Sequence, residues 1–275
     1  MGADLVRYHA DAGVATITLH DPDHKNAWGL DMERRYFELL DVATLDDAVR
    51  AIVVTGSGRY FCPGLDTARL AGVAGGGGLD LVDRRPQHYA PSVPKPMIAA
   101  VNGACAGVGL VQALVCDVRF VARGARLSTA YARRGLPAEY GLSWLLPRLI
   151  GTERALDLLL SARVFEAEEA VALGVASRLC EPDDVLAAAV AYAQDLARLC
   201  SPRSMAAVRR QVWGDLSRTY SEANDVWLDV MRQYNPDNPD FVEGVASFTE
   251  RREPRFAALG AGPALPPPPA FSPQE

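Results

Sequence analysis

Short apolar runs that each end at a glycine turn are the feature that most constrains this chain. The run from Val49 to Thr55 ends at Gly56-Ser57-Gly58, and the run from Met97 to Val101 ends at Asn102-Gly103. Runs this short and this rich in apolar residues are typical of strands that are buried on both faces of a sheet. Because they alternate with segments of helical periodicity, they predict an α/β core with right-handed crossovers.

Other segments extend this pattern along the first two thirds of the chain. The periodicity predicts two more strands, Val14 to Leu19 and Val118 to Ala122, and two helices, Leu30 to Leu45 and Gly107 to Leu114. No internal repeat is visible in the residues themselves.

From about residue 181 the strand signals stop. Four helices are predicted there, at Val185 to Leu199, Pro202 to Leu216, Glu222 to Tyr234 and Phe241 to Arg251. We therefore expect a core over residues 1–200, a helical region over 201–258 and a flexible Pro-rich tail over 259–275. Ala71 to Gly78, which ends in four consecutive glycines, is predicted to be a second loose segment.

The composition excludes several classes of protein. Of the 275 residues, 49% are hydrophobic and 23% are charged, which is ordinary for a globular chain. The net charge of −6 argues against non-specific nucleic-acid binding, and no apolar run is long enough to predict a membrane-spanning helix. The five cysteines are scattered, so we expect reduced thiols, no metal site and a cytoplasmic location.

Two turns are the candidates for chemistry. Gly56 to Asp66 and Asn102 to Gly109 each follow a predicted strand. Free N–H groups at such turns stabilise a developing anion, and two of them from separate turns can converge on one carbonyl oxygen as an oxyanion hole. On its own, each turn also fits a plain strand-to-helix connection. Neither turn has a dinucleotide fingerprint or a phosphate-binding loop, so neither NAD nor ATP is expected.

These turns belong to a longer set of motifs that carries a resemblance. The set comprises Asp21 to Ala27, Phe61 to Asp66, Lys95 to Gly103, Cys116 to Arg119, Gly135 to Pro137, Leu146 to Gly151, Ala167 to Ala170 and Phe248 to Phe256. In this order, over roughly Val6 to Phe256, the motifs resemble the crotonase superfamily, also called the enoyl-CoA hydratase/isomerase family.

The resemblance implies a fold, an activity and an assembly. It implies a crotonase-like spiral of ββα units that binds acyl-CoA, followed by a helical C-terminal region that mediates trimerisation. Family members stabilise a thioester enolate with two backbone N–H groups. We therefore expect an acyl-CoA thioester as the substrate, no further cofactor, a homotrimer or a hexamer made of two trimers, and neither nucleic-acid binding nor membrane insertion.

The resemblance also assigns site residues. By position, the two N–H groups belong to Leu65 and Val108; the second position is usually glycine, and the valine narrows the space beside its N–H. The predicted substrate-binding residues are Lys25, Ala27, Arg59, Pro63, Asp66, Tyr131, Phe248 and Arg251. Phe248 and Arg251 are expected to reach CoA from a neighbouring subunit. For each basic residue the alternative is a solvated surface charge.

The catalytic carboxylates depart from the family pattern. Hydratases of the family activate one water with two glutamates, and the corresponding positions here are Val111 and Tyr131. Valine cannot move a proton, and tyrosine with its ordinary pKa of about 10 is a poor base at neutral pH.

Glu139 is the carboxylate that remains near the expected site. Some dienoyl-CoA isomerases, ring-handling isomerases and a dehalogenase of the family have a catalytic Asp at this position. Glu139 is therefore predicted to be a general acid/base, with Leu136, Leu142 and Trp144 expected to raise its pKa. The alternative is a solvated loop residue.

Two more side chains and the reaction type stay open. His88 precedes the Lys95-Pro96 motif and is either a substrate contact or a surface residue; Tyr131 is a candidate hydrogen-bond partner for substrate or water. The leading hypothesis is an enoyl-CoA isomerase that uses Glu139. The alternatives are a hydratase or thioester hydrolase with one carboxylate, and a non-catalytic oligomer that binds acyl-CoA.

Overall fold

A six-stranded sheet forms the larger layer of strands in this computed structural model, which describes residues 4–66, 71–72, 85–87, 89–233 and 238–261. Its strands are β1 (Val6–Asp11), β2 (Val14–Leu19), β3 (Ala51–Gly56), β5 (Met97–Val101), β7 (Val118–Ala122) and β10 (Arg178–Cys180), in the order β1-β2-β3-β5-β7-β10. β1 and β2 are antiparallel, and the other pairs are parallel. Every residue of β3 and β5 is buried, as their mainly apolar sequences predict.

A second sheet contains four short strands, none of which the residue pattern predicted. They are β4 (Tyr60–Cys62), β6 (Ala104–Ala106), β8 (Arg126–Ser128) and β9 (Phe165–Glu166), in the order β4-β6-β8-β9. Three of them directly follow strands of the larger sheet, so the chain steps from β3 to β4, from β5 to β6 and from β7 to β8. This repeated step confirms the predicted α/β spiral architecture.

The structure describes nine helices in these residue ranges. They are α1 (Leu30–Leu45), α2 (Val108–Leu114), α3 (Leu142–Ile150), α4 (Thr152–Ser161), α5 (Ala167–Leu173), α6 (Val185–Leu199), α7 (Pro202–Asp215), α8 (Tyr220–Gln233) and α9 (Pro239–Glu250). The predicted bounds of α1 and α6 are confirmed, and those of the last three helices differ from prediction by no more than two residues.

Helix α6 packs across β2, β3, β5 and β7 of the larger sheet. It buries Val185, Ala189, Ala193 and Ala197, which recur at every fourth position and so share one face. Because alanine is small, the helix lies close to the sheet.

Arg209 connects helix α7 to the strands. Its Nε donates to Asp117 Oδ2 at 2.6 Å, and the same oxygen accepts from the Met97 backbone N–H at 2.7 Å. The guanidinium also donates to the carbonyls of Val93 and Ala90. The division into residues 1–200 and 201–258 nevertheless stays a prediction.

Some of the other predicted features lie outside the residues that the structure describes. His88, Gly75 to Gly78 and the tail beyond residue 261 lie outside the described residues. All five cysteines are free thiols. Within the described ranges, no helix combines the length and apolar character needed to cross a bilayer, and no three His, Cys, Asp or Glu side chains cluster as metal ligands would.

Candidate active site

Two glycine turns meet where β4 and β6 end. Gly64 has φ +105° and Gly107 has φ +53°, which are backbone conformations that residues with side chains rarely adopt. Because β4 pairs with β6, the two turns lie side by side, and a Cβ on Gly64 would be only 3.1 Å from the Ala106 carbonyl oxygen. The residues that follow these glycines are Leu65 and Val108.

The backbone hydrogen bonds fix how the two predicted N–H groups are directed. The Gly64 carbonyl accepts from Trp28 N at 2.8 Å, and the Gly107 carbonyl accepts from Val111 N at 3.1 Å. In a trans peptide the C=O and the following N–H point in opposite directions, and no described peptide bond is cis. The N–H groups of Leu65 and Val108 therefore point away from these partners, and both residues line one pocket.

That pocket encloses about 370 Å³, including solvent space at its mouth. Its lining residues are Pro63, Gly64, Leu65, Gly107, Val108, Ala130, Tyr131, Arg134, Leu136, Glu139 and Tyr140. The structure thus brings together five of the predicted site residues, namely Pro63, Leu65, Val108, Tyr131 and Glu139.

The loop after β8 positions Tyr131 and Glu139. At its start, Thr129 Oγ1 donates to the Leu158 carbonyl at 2.8 Å, which fixes the loop to α4. Within the loop, Leu136 N donates to the Tyr131 carbonyl at 3.1 Å. At its end, Leu142 N donates to the Glu139 carbonyl at 3.0 Å, so Glu139 lies where α3 begins.

Tyr131 is buried in this pocket. Its side chain is 7% exposed, and its hydroxyl has no hydrogen-bond partner among the described residues. Burial first, and then the charge of Glu139, raise the pKa of Tyr131 well above its ordinary value. The phenol therefore stays protonated at neutral pH and cannot act as the base.

Carboxylates are scarce around the pocket. Val111 is fully buried in α2 and does not line it. Among the described lining residues, Glu139 is the one carboxylate and Arg134 is the one cation. Glu139 is half-buried. The arrangement therefore combines two directed N–H groups with one group that can take up and return a proton.

The turn that carries Lys25 and Ala27 lies next to the pocket but does not line it. Asn26 is fully buried, and its Nδ2 donates to the carbonyls of Ser57 and Tyr60 at 2.9 and 2.7 Å. Lys25 is exposed, with its Nζ 5.8 Å from the centre of the Tyr60 ring. The turn is thus fixed by Asn26, a role that the sequence motif did not reveal.

The remaining predicted contacts are not brought to the pocket in this chain. Arg59 is exposed and Asp66 is half-buried, and neither lines the pocket. Phe248 is 87% exposed near the end of α9, and the exposed Arg251 follows it. Their contact with CoA, including contact across a subunit boundary, stays a prediction.

The sequence reasoning missed Arg134 and Tyr140, which also line the pocket. Arg134 lies three residues after Tyr131, on the 3₁₀ turn Ala132–Arg134, where residues three apart share a side. Tyr140 has φ +54°, a left-handed conformation that no residue pattern announces. The turn geometry was the missing signal in both cases.

Comparisons with known proteins identify the family of this chain. The family described as Enoyl-CoA hydratase/isomerase matches residues 9–258. The 1,2-epoxyphenylacetyl-CoA isomerase of Escherichia coli (strain K12) is 31% identical over 262 residues, an alignment that covers 92% of this chain and 98% of that protein.

Two crystal structures are similar to this chain. A probable enoyl-CoA hydratase/isomerase from Mycobacterium abscessus has a TM-score of 0.83 and 31% identity, covering 92% of this chain and 98% of its own. An enoyl-CoA hydratase from Mycobacterium marinum has a TM-score of 0.68 and 47% identity, covering 78% of this chain and 100% of its own. With its α/β spiral, its paired glycine turns and a family match over nearly its whole length, this chain belongs to the enoyl-CoA hydratase/isomerase family of the crotonase superfamily, as an acyl-CoA enzyme.

Proposed function

We propose that this enzyme is an enoyl-CoA isomerase in which Glu139 is the general acid/base. The observation that carries the proposal is the content of the pocket. Two directed N–H groups, on Leu65 and Val108, share it with one carboxylate among the described lining residues. The first hydratase glutamate position holds the buried Val111, and the second holds Tyr131, which stays protonated.

The proposed reaction moves one proton along the acyl chain. The Glu139 carboxylate removes a C2 proton from a 3-enoyl thioester, and the C–H electrons pass into a dienolate whose charge rests on the thioester oxygen. The N–H groups of Leu65 and Val108 stabilise that oxygen. Protonated Glu139 then returns the proton to C4, which leaves a 2-enoyl thioester. The step consumes neither water nor a cofactor besides the CoA of the substrate.

Hydration is the second candidate, because the Mycobacterium marinum structure with 47% identity is that of an enoyl-CoA hydratase. In this case Glu139 alone would activate the water that adds to C3. The two reactions differ in mass, since hydration adds one water to the product and isomerisation adds none.

We propose further that copies of the chain associate as a homotrimer or a hexamer through residues 201–258. The exposed apolar side chains of α9 support this assignment. Phe241, Val242, Val245 and Phe248 are each more than half exposed in the single chain.

The test of the activity uses 3-hexenoyl-CoA and 2-hexenoyl-CoA in deuterated water, with mass spectrometry of the products. We expect the wild type to interconvert them with deuterium uptake and no added water. Glu139→Gln keeps the size of the side chain but removes the base, so we expect a loss of at least 100-fold in rate.

Glu153→Gln is the matched control, because Glu153 is an exposed carboxylate in the first turn of α4. It should retain wild-type activity. Gain of one water in the product would favour the hydratase instead. Isomerisation that survives in Glu139→Gln would remove Glu139 from the mechanism.

A further inference from the structure

The Tyr131 hydroxyl is a buried polar group that lacks a partner. Its side chain is 93% buried, and no described residue accepts from or donates to its oxygen. An unpaired buried hydroxyl costs free energy, whereas phenylalanine would fill the same space without that cost. A tyrosine at this position is therefore better explained by a partner that arrives with the ligand.

The hydroxyl lies beside the two glycine turns. The position that a Cβ on Gly107 would take is 3.9 Å from the Tyr131 oxygen and 3.8 Å from Gly64 Cα. Because Gly107 has no Cβ, this space is open to an atom of the substrate. Gly64 and Gly107, which border this space, directly precede the predicted donors Leu65 and Val108 in the chain.

The surroundings keep this hydroxyl a donor. The charged groups that face it are Glu139 and Arg134, with Tyr140 and the Cys62 thiol also close. Burial and the negative Glu139 outweigh the opposing effect of Arg134, so the pKa is raised and the proton stays on the oxygen. A fixed neutral donor of this kind stabilises charge that develops on a nearby oxygen.

We propose that the Tyr131 hydroxyl donates a third hydrogen bond to the thioester oxygen, beside the N–H groups of Leu65 and Val108. The inference rests on the proposed function only in placing an acyl-CoA thioester in this pocket. Tyr131 holds its proton throughout, and Glu139 carries out the proton transfer.

The test compares the wild type with Tyr131→Phe, using butyryl-CoA labelled with ¹³C at the thioester carbonyl. Infrared spectroscopy of the bound ester measures hydrogen bonding to that carbonyl directly. We expect the carbonyl band at lower wavenumber in the wild type than in Tyr131→Phe. We also expect exchange of the C2 protons with deuterated water to slow by about 100-fold or more in the variant.

Tyr8→Phe is the matched control, because Tyr8 also has a buried hydroxyl without a partner but does not line the pocket. It should change neither the band nor the exchange rate. An unchanged band in Tyr131→Phe would overturn the inference. This holds even if the variant slows only substrates that have an oxygen on the acyl chain, because Tyr131 would then contact the acyl chain and not the thioester oxygen. A shifted band without isomerisation of any enoyl-CoA would support the third hydrogen bond and contradict the isomerase instead.

Discussion

At Gly109, the close approach of β4 to α2 leaves no room for a side chain. A Cβ there would lie 2.1 Å from the Cys62 carbonyl oxygen and 2.8 Å from Cys62 Cβ. Backbone atoms cannot yield as the end of a flexible side chain can. The glycine is therefore required by packing, and it directly follows the predicted donor Val108.

We expect Gly109→Ala to destabilise the protein by about 1–3 kcal/mol and to lower its activity, because the collision displaces the start of α2. Thermal unfolding and the isomerase assay measure the two effects. Gly29→Ala is the control, since its Cβ would meet nothing within 4 Å. It should cost less than about 1 kcal/mol, as expected at a helix N-cap. Equal stability of the two variants would contradict the packing argument.

At the scale of elements, Glu243 joins helix α9 to the segment that follows it. Its carboxylate accepts from Arg252 Nη1 and Nη2 at 2.6 and 2.9 Å, and from the Arg255 backbone N–H at 2.6 Å. These hydrogen bonds lower the pKa of Glu243 to about 2. Folding therefore favours the ionised carboxylate.

The sign of the pH dependence follows from this lowered pKa. The contribution of Glu243 is fully present above its unfolded pKa of about 4.3 and is lost as the pH falls toward the folded value. We expect the difference in free energy of unfolding between the wild type and Glu243→Gln to shrink over this interval. Denaturant unfolding of both proteins, at one protein concentration and at several pH values, measures this difference in free energy. A difference that does not vary with pH would count against the ion pair.

At the scale of the whole molecule, the exposed apolar face of α9 predicts self-association. We expect Val245→Asp to lower the mass in light scattering toward that of one chain, because a buried charge at an interface is costly. Val42→Asp is the control, because Val42 lies on α1, outside the proposed interface. Its exposed fraction of 48% is close to the 52% of Val245. A wild-type protein that is already monomeric would contradict the proposed assembly.

The sequence predicted most of the long elements, but not strand β1 or helices α3 and α4. The strands β3 and β5 are mainly apolar, and α1 and α6 have long periodic faces, so local pattern and burial agree there. The short strands β4, β6 and β8 have three residues each and were not predicted. A strand of this length contains too few residues to show a recognisable apolar pattern in the sequence. These strands form because the strands that precede them are already aligned in the larger sheet.

The candidate site divides in the same way. The sequence, through its family resemblance, predicted which chemistry is available: Val111 and Tyr131 are expected where hydratases of the family have two glutamates, and Glu139 is the predicted general acid/base. Only the tertiary structure decided which groups meet. The pairing of β4 with β6 sets two distant glycine turns side by side, and the loop after β8 brings Tyr131 and Glu139 to them. Residue identity is local, whereas convergence depends on contacts between segments far apart in the chain.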